Sequence, residues 1–203
     1  DVEFSMDMLA DDVVALLEHL GINGPIVLGG LSMGGYVAQA FAAQYPERLR
    51  GLILMDTKAV ADTPEMAQKR EETAAEVVET GDVKKVVDAM TPRLFASDTL
   101  NEPERIAELT SVMEATTPKG IAGALRCMAA RPDRRNDLGR IRVPTLVLVG
   151  AEDAISPPTE AQSIADAISD SRFAVIPQAG HMAPWENPEG VNAALLDFLD
   201  RLA

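Results

Sequence analysis

The sequence predicts an α/β protein with a mostly parallel sheet, interrupted by a helical insertion. Three observations carry that expectation. Short apolar runs bounded by glycine, proline or aspartate occur at 25–30, 51–56 and 143–150, as strands buried on both faces require. Segments with helical apolar spacing lie between and around them, which is the alternation of βαβ units. The stretch 58–132 has no apolar β run and reads as helices alone.

Taken in order, residues 7–20 place Met8, Leu9, Val13, Leu16, Leu17 and Leu20 on one helical face, and Gly21 stops that helix. Pro25-Ile26-Val27-Leu28-Gly29-Gly30 is the first buried strand. A helix spans 33–45, with Ala38, Ala40, Ala42 and Ala43 small enough for close packing, and Pro46 ends it. Gly51-Leu52-Ile53-Leu54-Met55-Asp56 is the second strand. Helices are expected near 62–80, 82–91, 103–116 and 118–129, divided by Gly81, Pro92, Pro103 and Pro118. The third strand is 143–150. A helix follows near 157–168, with Ser156 as its cap and Pro157 in its first turn. The fourth strand is 172–176, and 188–202 is a closing amphipathic helix. The organisation expected is a core of 1–57 and 133–203 with 58–132 inserted.

Composition narrows the function. The 203 residues are 47% apolar and 25% charged, enough for a real core and against disorder. No stretch approaches the ~20 apolar residues of a membrane-spanning helix. Acidic residues outnumber basic ones 32 to 18, giving −14. That balance disfavours nucleic acid and anionic membrane surfaces, and reads as serving solubility. Cys127 is the only cysteine, so neither an intrachain disulfide nor a Cys-based zinc site is possible. With only His19 and His181, a multi-histidine metal centre is not expected, and no cofactor is implied. The opening Asp1-Val2-Glu3-Phe4-Ser5 has neither an initiator Met nor a targeting segment. The expectation is a cytoplasmic protein in which chain precedes Asp1.

The chemistry-bearing motif is Gly30-Leu31-Ser32-Met33-Gly34, G-x-S-x-G between a buried strand and a helix. A serine on such a sharp turn projects its hydroxyl beyond the sheet, and small neighbours let the chain cross closely. The Met33 N–H then sits at a helix N-terminus, where it can donate to an oxyanion. A phosphate loop would need a Lys that is absent here, and the glycines do not match G-x-G-x-x-G. The bland alternative is a helix start without chemistry.

A serine needs a base. His19 lies within the first amphipathic helix and reads as a helix-surface residue. His181 sits in Gly180-His181-Met182-Ala183-Pro184 after the fourth strand, at the sheet edge where catalytic groups gather. Two acids at strand C-termini could orient it, Asp153 and Asp56, and either satisfies the order Ser, Asp, His. Asp153 is preferred because its loop directly precedes the strand and loop that carry His181. Glu152 beside it reads as a solvated acid.

With these pieces in order the chain resembles the α/β-hydrolase superfamily. The resemblance spans nearly the whole chain and rests on G-L-S-M-G-G-Y at 30–36, Y-P-E-R-L-R-G-L-I-L-M-D at 45–56, V-P-T-L-V-L-V-G-A-E-D-A-I-S-P-P at 143–158 and A-G-H-M-A-P-W-E-N-P-E at 179–189. It is nearest to the esterase, 3-oxoadipate enol-lactonase and cofactor-free haloperoxidase-like group. The resemblance implies Ser32 as nucleophile, Asp153 as acid, His181 as base and 58–132 as a helical cap over the pocket. It departs in one respect: the family sheet has about eight strands, and the four here look like its second half. The remaining strands, and a second oxyanion donor, are expected from a segment before Asp1, from another chain, or through a homo-oligomer that pairs the open edge.

The function expected is hydrolysis of a small carboxylic ester through an acyl-enzyme. Lactone hydrolysis and perhydrolysis use the same three residues. A non-catalytic binding protein of this fold is the reading from another class. Met33, Leu94, Phe95, Met113, Met128, Met182 and Trp185 are candidates to line an acyl pocket; those of the insertion could equally form its own small core.

Overall fold

The computed structural model describes residues 4–202; what residues 1–3 imply lies outside the described residues. In chain order the elements are α1 (Met6–His19), β1 (Ile26–Leu31), α2 (Met33–Gln44), β2 (Leu49–Met55), α3 (Pro64–Thr80), α4 (Val83–Leu94), α5 (Pro103–Glu114), α6 (Pro118–Ala129), α7 (Arg135–Leu138), β3 (Thr145–Gly150), α8 (Pro158–Ala167), β4 (Ser171–Ile176), α9 (Ala183–Glu186) and α10 (Pro188–Asp200). Every α and β segment anticipated from the sequence is present. The four-residue helices α7 and α9 are too short to leave a periodic signal.

The strands form one parallel sheet in the order β1-β2-β3-β4. Among the described residues the outer edge of β1 has no strand partner. Leu31 pairs with Met55, Met55 with Leu148, and Gly150 with Ile176, so the strands end level along one carboxyl edge. Ser32, Asp56, Asp153 and His181 all follow that edge.

Alternation along the strands divides the core between two faces. Leu52, Leu54, Val147 and Val149 join Phe41 of α2 and Ile164 of α8 in one buried cluster. Ile53, Leu146 and Leu148 face the other way and meet Val191 and Phe198 of α10. Phe198 is fully buried, and truncating such a ring costs roughly 3–5 kcal/mol. The helices α3–α6 are inserted between β2 and β3, and Ala74, Val77 and Ala122 form a separate small core where α3 meets α6. Side-chain caps start the helices that the sequence marks: Thr63 accepts from Met66 N, Asp82 from Lys85 N, Thr117 from Gly120 N and Asn187 from Gly190 N.

Two local expectations are corrected. Pro92 does not end a helix, for α4 runs through it to Leu94. Proline removes one backbone bond, but only two helical residues follow, and Leu94 and Phe95 are anchored by burial. Ser156 is not the cap of α8, which starts at Pro158 behind Pro157. A residue before proline is pushed to extended backbone, so Pro157 itself stays outside the helix.

Among the described residues no helix is long and apolar enough to cross a membrane.

Candidate active site

The turn from β1 to α2 holds Ser32 at φ 52° and ψ −113°, a backbone conformation sparsely populated by residues with a side chain. Its surroundings enforce it. Ser32 N–H donates to Met55 O at 2.9 Å, and the Thr57 hydroxyl donates to Ser32 O at 2.8 Å. A Cβ on Gly30 would lie 2.1 Å from Gly34 O, and one on Gly35 would lie 2.5 Å from Thr57 Oγ1. Gly34 has nothing within 4 Å of such a Cβ. The glycines this turn requires are therefore Gly30 and Gly35. The role of Thr57 leaves no motif in the sequence beyond its place after the β2 edge.

Ser32 Oγ lies 2.7 Å from His181 Nε2, and His181 Nδ1 lies 2.8 Å from Asp153 Oδ2. His181 and Asp153 are each 3% exposed. Asp153 Oδ1 accepts the N–H groups of Ile155 and Ser156, both at 2.8 Å, so its carboxylate is fixed by its own loop. With its proton on Nδ1 toward Asp153, the imidazole presents Nε2 as acceptor to the Ser32 hydroxyl, a tautomer inferred from these partners. Met33 opens α2, and among the described residues its N–H donates to no other backbone group.

Known proteins resemble this chain in sequence and in fold. A family model for the alpha/beta hydrolase fold matches residues 2–188. The chain belongs to the α/β-hydrolase family. A thermophilic esterase from Thermogutta terrifontis, solved with malate bound, is 46% identical with a TM-score of 0.95, covering 99% of this chain and 74% of that one. BpoC of Mycobacterium tuberculosis, a non-heme bromoperoxidase by name, is 31% identical over 96% of this chain and 75% of its own. The 3-oxoadipate enol-lactonase 2 of Acinetobacter baylyi is 29% identical over 98% of this chain and 72% of its own.

In this α/β hydrolase Asp56, the other acid candidate, does not bond His181. It is fully buried at φ 47°, and its Oδ1 accepts Gly150 N–H at 2.8 Å. Burial pushes its pKa up to about 8, the Gly150 N–H opposes that rise, and the Asp153 and Glu186 carboxylates add to it. Oδ2 meets no donor. Glu152 is exposed, but its Oε2 accepts both the N–H and the hydroxyl of Ser97, fixing it to the insertion. His19 is exposed in the last turn of α1.

The pocket candidates divide. Phe95 and Trp185 meet in a tilted contact with ring centroids 5.4 Å apart, and the Leu94 carbonyl accepts the N–H groups of His181 and Met182. Met128 and Met33 instead pack against the main core cluster, and Met128 Sδ accepts from Arg70. Met182 and Trp185 are half-buried beside His181, whereas Met113 lies on α5, none of whose residues is buried. A cavity of about 160 Å³ is lined by Gln39, Arg134 and Ile141 among others and by none of Ser32, Asp153 or His181.

Proposed function

We propose that this α/β hydrolase is a serine esterase that cleaves small carboxylic esters through an acyl-enzyme. The observation that carries the reading is the hydrogen-bonded line from Ser32 through His181 to Asp153, set on a strained strand-to-helix turn. In this reading Ser32 Oγ attacks the ester carbonyl carbon as His181 Nε2 takes its proton. The buried Asp153 carboxylate stabilises the imidazolium. The oxyanion forms near the Met33 N–H at the start of α2. His181 then returns the proton to the departing alkoxide, which leaves as alcohol. Water, deprotonated by the same imidazole, releases the carboxylic acid and restores Ser32.

The names of the relatives support an oxygen-ester bond as the target. One is an esterase and another an enol-lactonase, and a lactone is the cyclic form of that bond. The insertion 58–132, in this reading, covers the reacting carbonyl and sets the size of the acyl group.

The test is fluorophosphonate labelling together with a panel of activated esters and lactones. Wild-type protein should be labelled at Ser32 and should turn over at least one short ester. Ser32→Ala and His181→Ala should each lose about four to six orders of magnitude in kcat. A Ser32→Ala protein with near-normal turnover would end the reading.

A further inference from the structure

The His181 loop does not stand on the sheet alone. Glu186, one turn beyond it in α9, is only 7% exposed and carries no cationic partner among the described residues. Its carboxylate is instead satisfied by three backbone donors. Oε1 accepts Gly180 N–H at 2.7 Å and Met182 N–H at 3.3 Å, the amides on either side of His181. Oε2 accepts Ala96 N–H at 2.7 Å, from the inserted segment. The insertion returns the bond from its own backbone, where Leu94 O accepts His181 N–H at 2.9 Å. A Cβ on Gly180 would lie 2.6 Å from Ala96 N, so the two chains are in direct contact along this seam. From outside, one guanidinium nitrogen of Arg105 donates to Trp185 O and Glu186 O, both at 2.8 Å, while the group stacks on the Trp185 ring at 4.6 Å.

From this geometry we propose that Glu186 is a positioning residue for His181, and that it works by locking the His181 loop to the Leu94–Ala96 segment of the insertion. The proposal rests on the reading of His181 as the base. A buried anion would be costly if it served only packing. Here its lone pairs meet the amides that flank the imidazole-bearing residue and one amide of the covering segment. The insertion and the base thereby share one fastening, and His181 Nε2 is held in line with Ser32 Oγ by bonds that never touch either group.

Glu186→Gln is the test. A glutamine has one oxygen and one NH₂ group, so at Ala96 or at the His181 loop a donor must face a donor. The expected result is a kcat lower by roughly 10- to 100-fold, with KM changed less than about threefold, because orientation rather than binding is lost. The second readout is the downfield proton resonance of His181 Nδ1–H, which should weaken or broaden. With His19 exposed and the chain holding only two histidines, that signal has one source. A change of melting temperature alone would not support the role. A folded Glu186→Gln protein with kcat within about twofold of wild type and an unaltered Nδ1–H resonance overturns it. Should that variant fail to fold, Arg105→Met decides. It removes the two outer bonds at a partly exposed residue, and it should lower kcat and broaden the resonance in the same direction; no change in either overturns the proposal. Failure of the esterase reading is separate, since it is seen in Ser32→Ala, while the His181 resonance reports on the seam whether or not an ester is cleaved.

Discussion

Gly150 and Gly180 meet so closely that a Cβ on Gly150 would lie 2.0 Å from the Gly180 carbonyl oxygen. The first glycine ends β3 ahead of Asp153, and the second immediately precedes His181. Their contact sets the separation of the Asp153 and His181 loops. Both neighbours are backbone, so neither can rotate away.

Gly150→Ala should therefore cost about 1–3 kcal/mol in stability, as overpacking does, and should cost far more in turnover because the His181–Asp153 bond must lengthen. Gly34→Ala is the matched control. Its new Cβ meets nothing within 4 Å and removes a glycine from α2, so stability should hold or rise by up to ~1 kcal/mol. Chemical denaturation of both variants checks the pair. Equal losses would mean that close backbone approach does not govern these loops.

The two acids should separate by activity. Asp153→Asn removes the acceptor of the His181 Nδ1 proton, favours the wrong tautomer, and should lower kcat by about 10⁴-fold while the fold persists. Asp56→Asn keeps an oxygen for the Gly150 N–H and offers N–H donors where Asp56 Oδ2 has none, so its kcat should stay within about tenfold. Steady-state kinetics on one activated ester ranks them, and the opposite order would move the acid to β2.

Asp56 also makes a prediction about pH. Its pKa is raised to about 8 in the folded protein, whereas an unfolded Asp titrates near ~3.9. Between those values the unfolded chain has already released the proton that the native state still holds. Stability from this group is therefore complete below about pH 4 and declines as pH rises toward 8, by at most ~1.4 kcal/mol per pH unit. Asp56→Asn does not titrate, so its stability relative to wild type should improve steadily across that window. Urea midpoints of both proteins at pH 5, 6.5 and 8 would measure it; a constant difference would mean that Asp56 is ionised throughout.

The sheet was legible because buried parallel strands announce themselves locally, as at Ile26–Leu31 and Thr145–Gly150. The Ser32 turn was legible for the same reason, since strand, glycines and helix are contiguous. What the sequence hid depends on residues far apart in it. Ala96 and Glu186 are 90 positions apart, and nothing near either one marks their bond. The motif names Gly34, yet the crowded glycine is Gly35, whose neighbour Thr57 lies on another strand's edge. Pro92 does not end α4, because local propensity yields to the burial of Leu94 and Phe95.

The last prediction concerns acyl selectivity. Among the seven apolar candidates, Phe95 and Trp185 touch each other beside the His181 loop, and Phe95 is 4% exposed. Met128 packs against the main core cluster, bonded through sulfur to Arg70. Leu94 is also buried, but its carbonyl holds His181 and Met182, so changes there disturb the His181 loop as well as any pocket. Phe95→Ala should thus lengthen the preferred acyl chain, because the space vacated lies against Trp185 and each added methylene that fills it gains up to about 0.8 kcal/mol. Met128→Ala should mainly lower stability, by about 2–5 kcal/mol, with chain-length preference nearly unchanged. Relative kcat/KM values for p-nitrophenyl acetate, butyrate, hexanoate and octanoate measure the shift. If Phe95→Ala leaves that profile flat while Met128→Ala alters it, the acyl group binds on the α6 side of the nucleophile rather than beneath the α4–α9 seam.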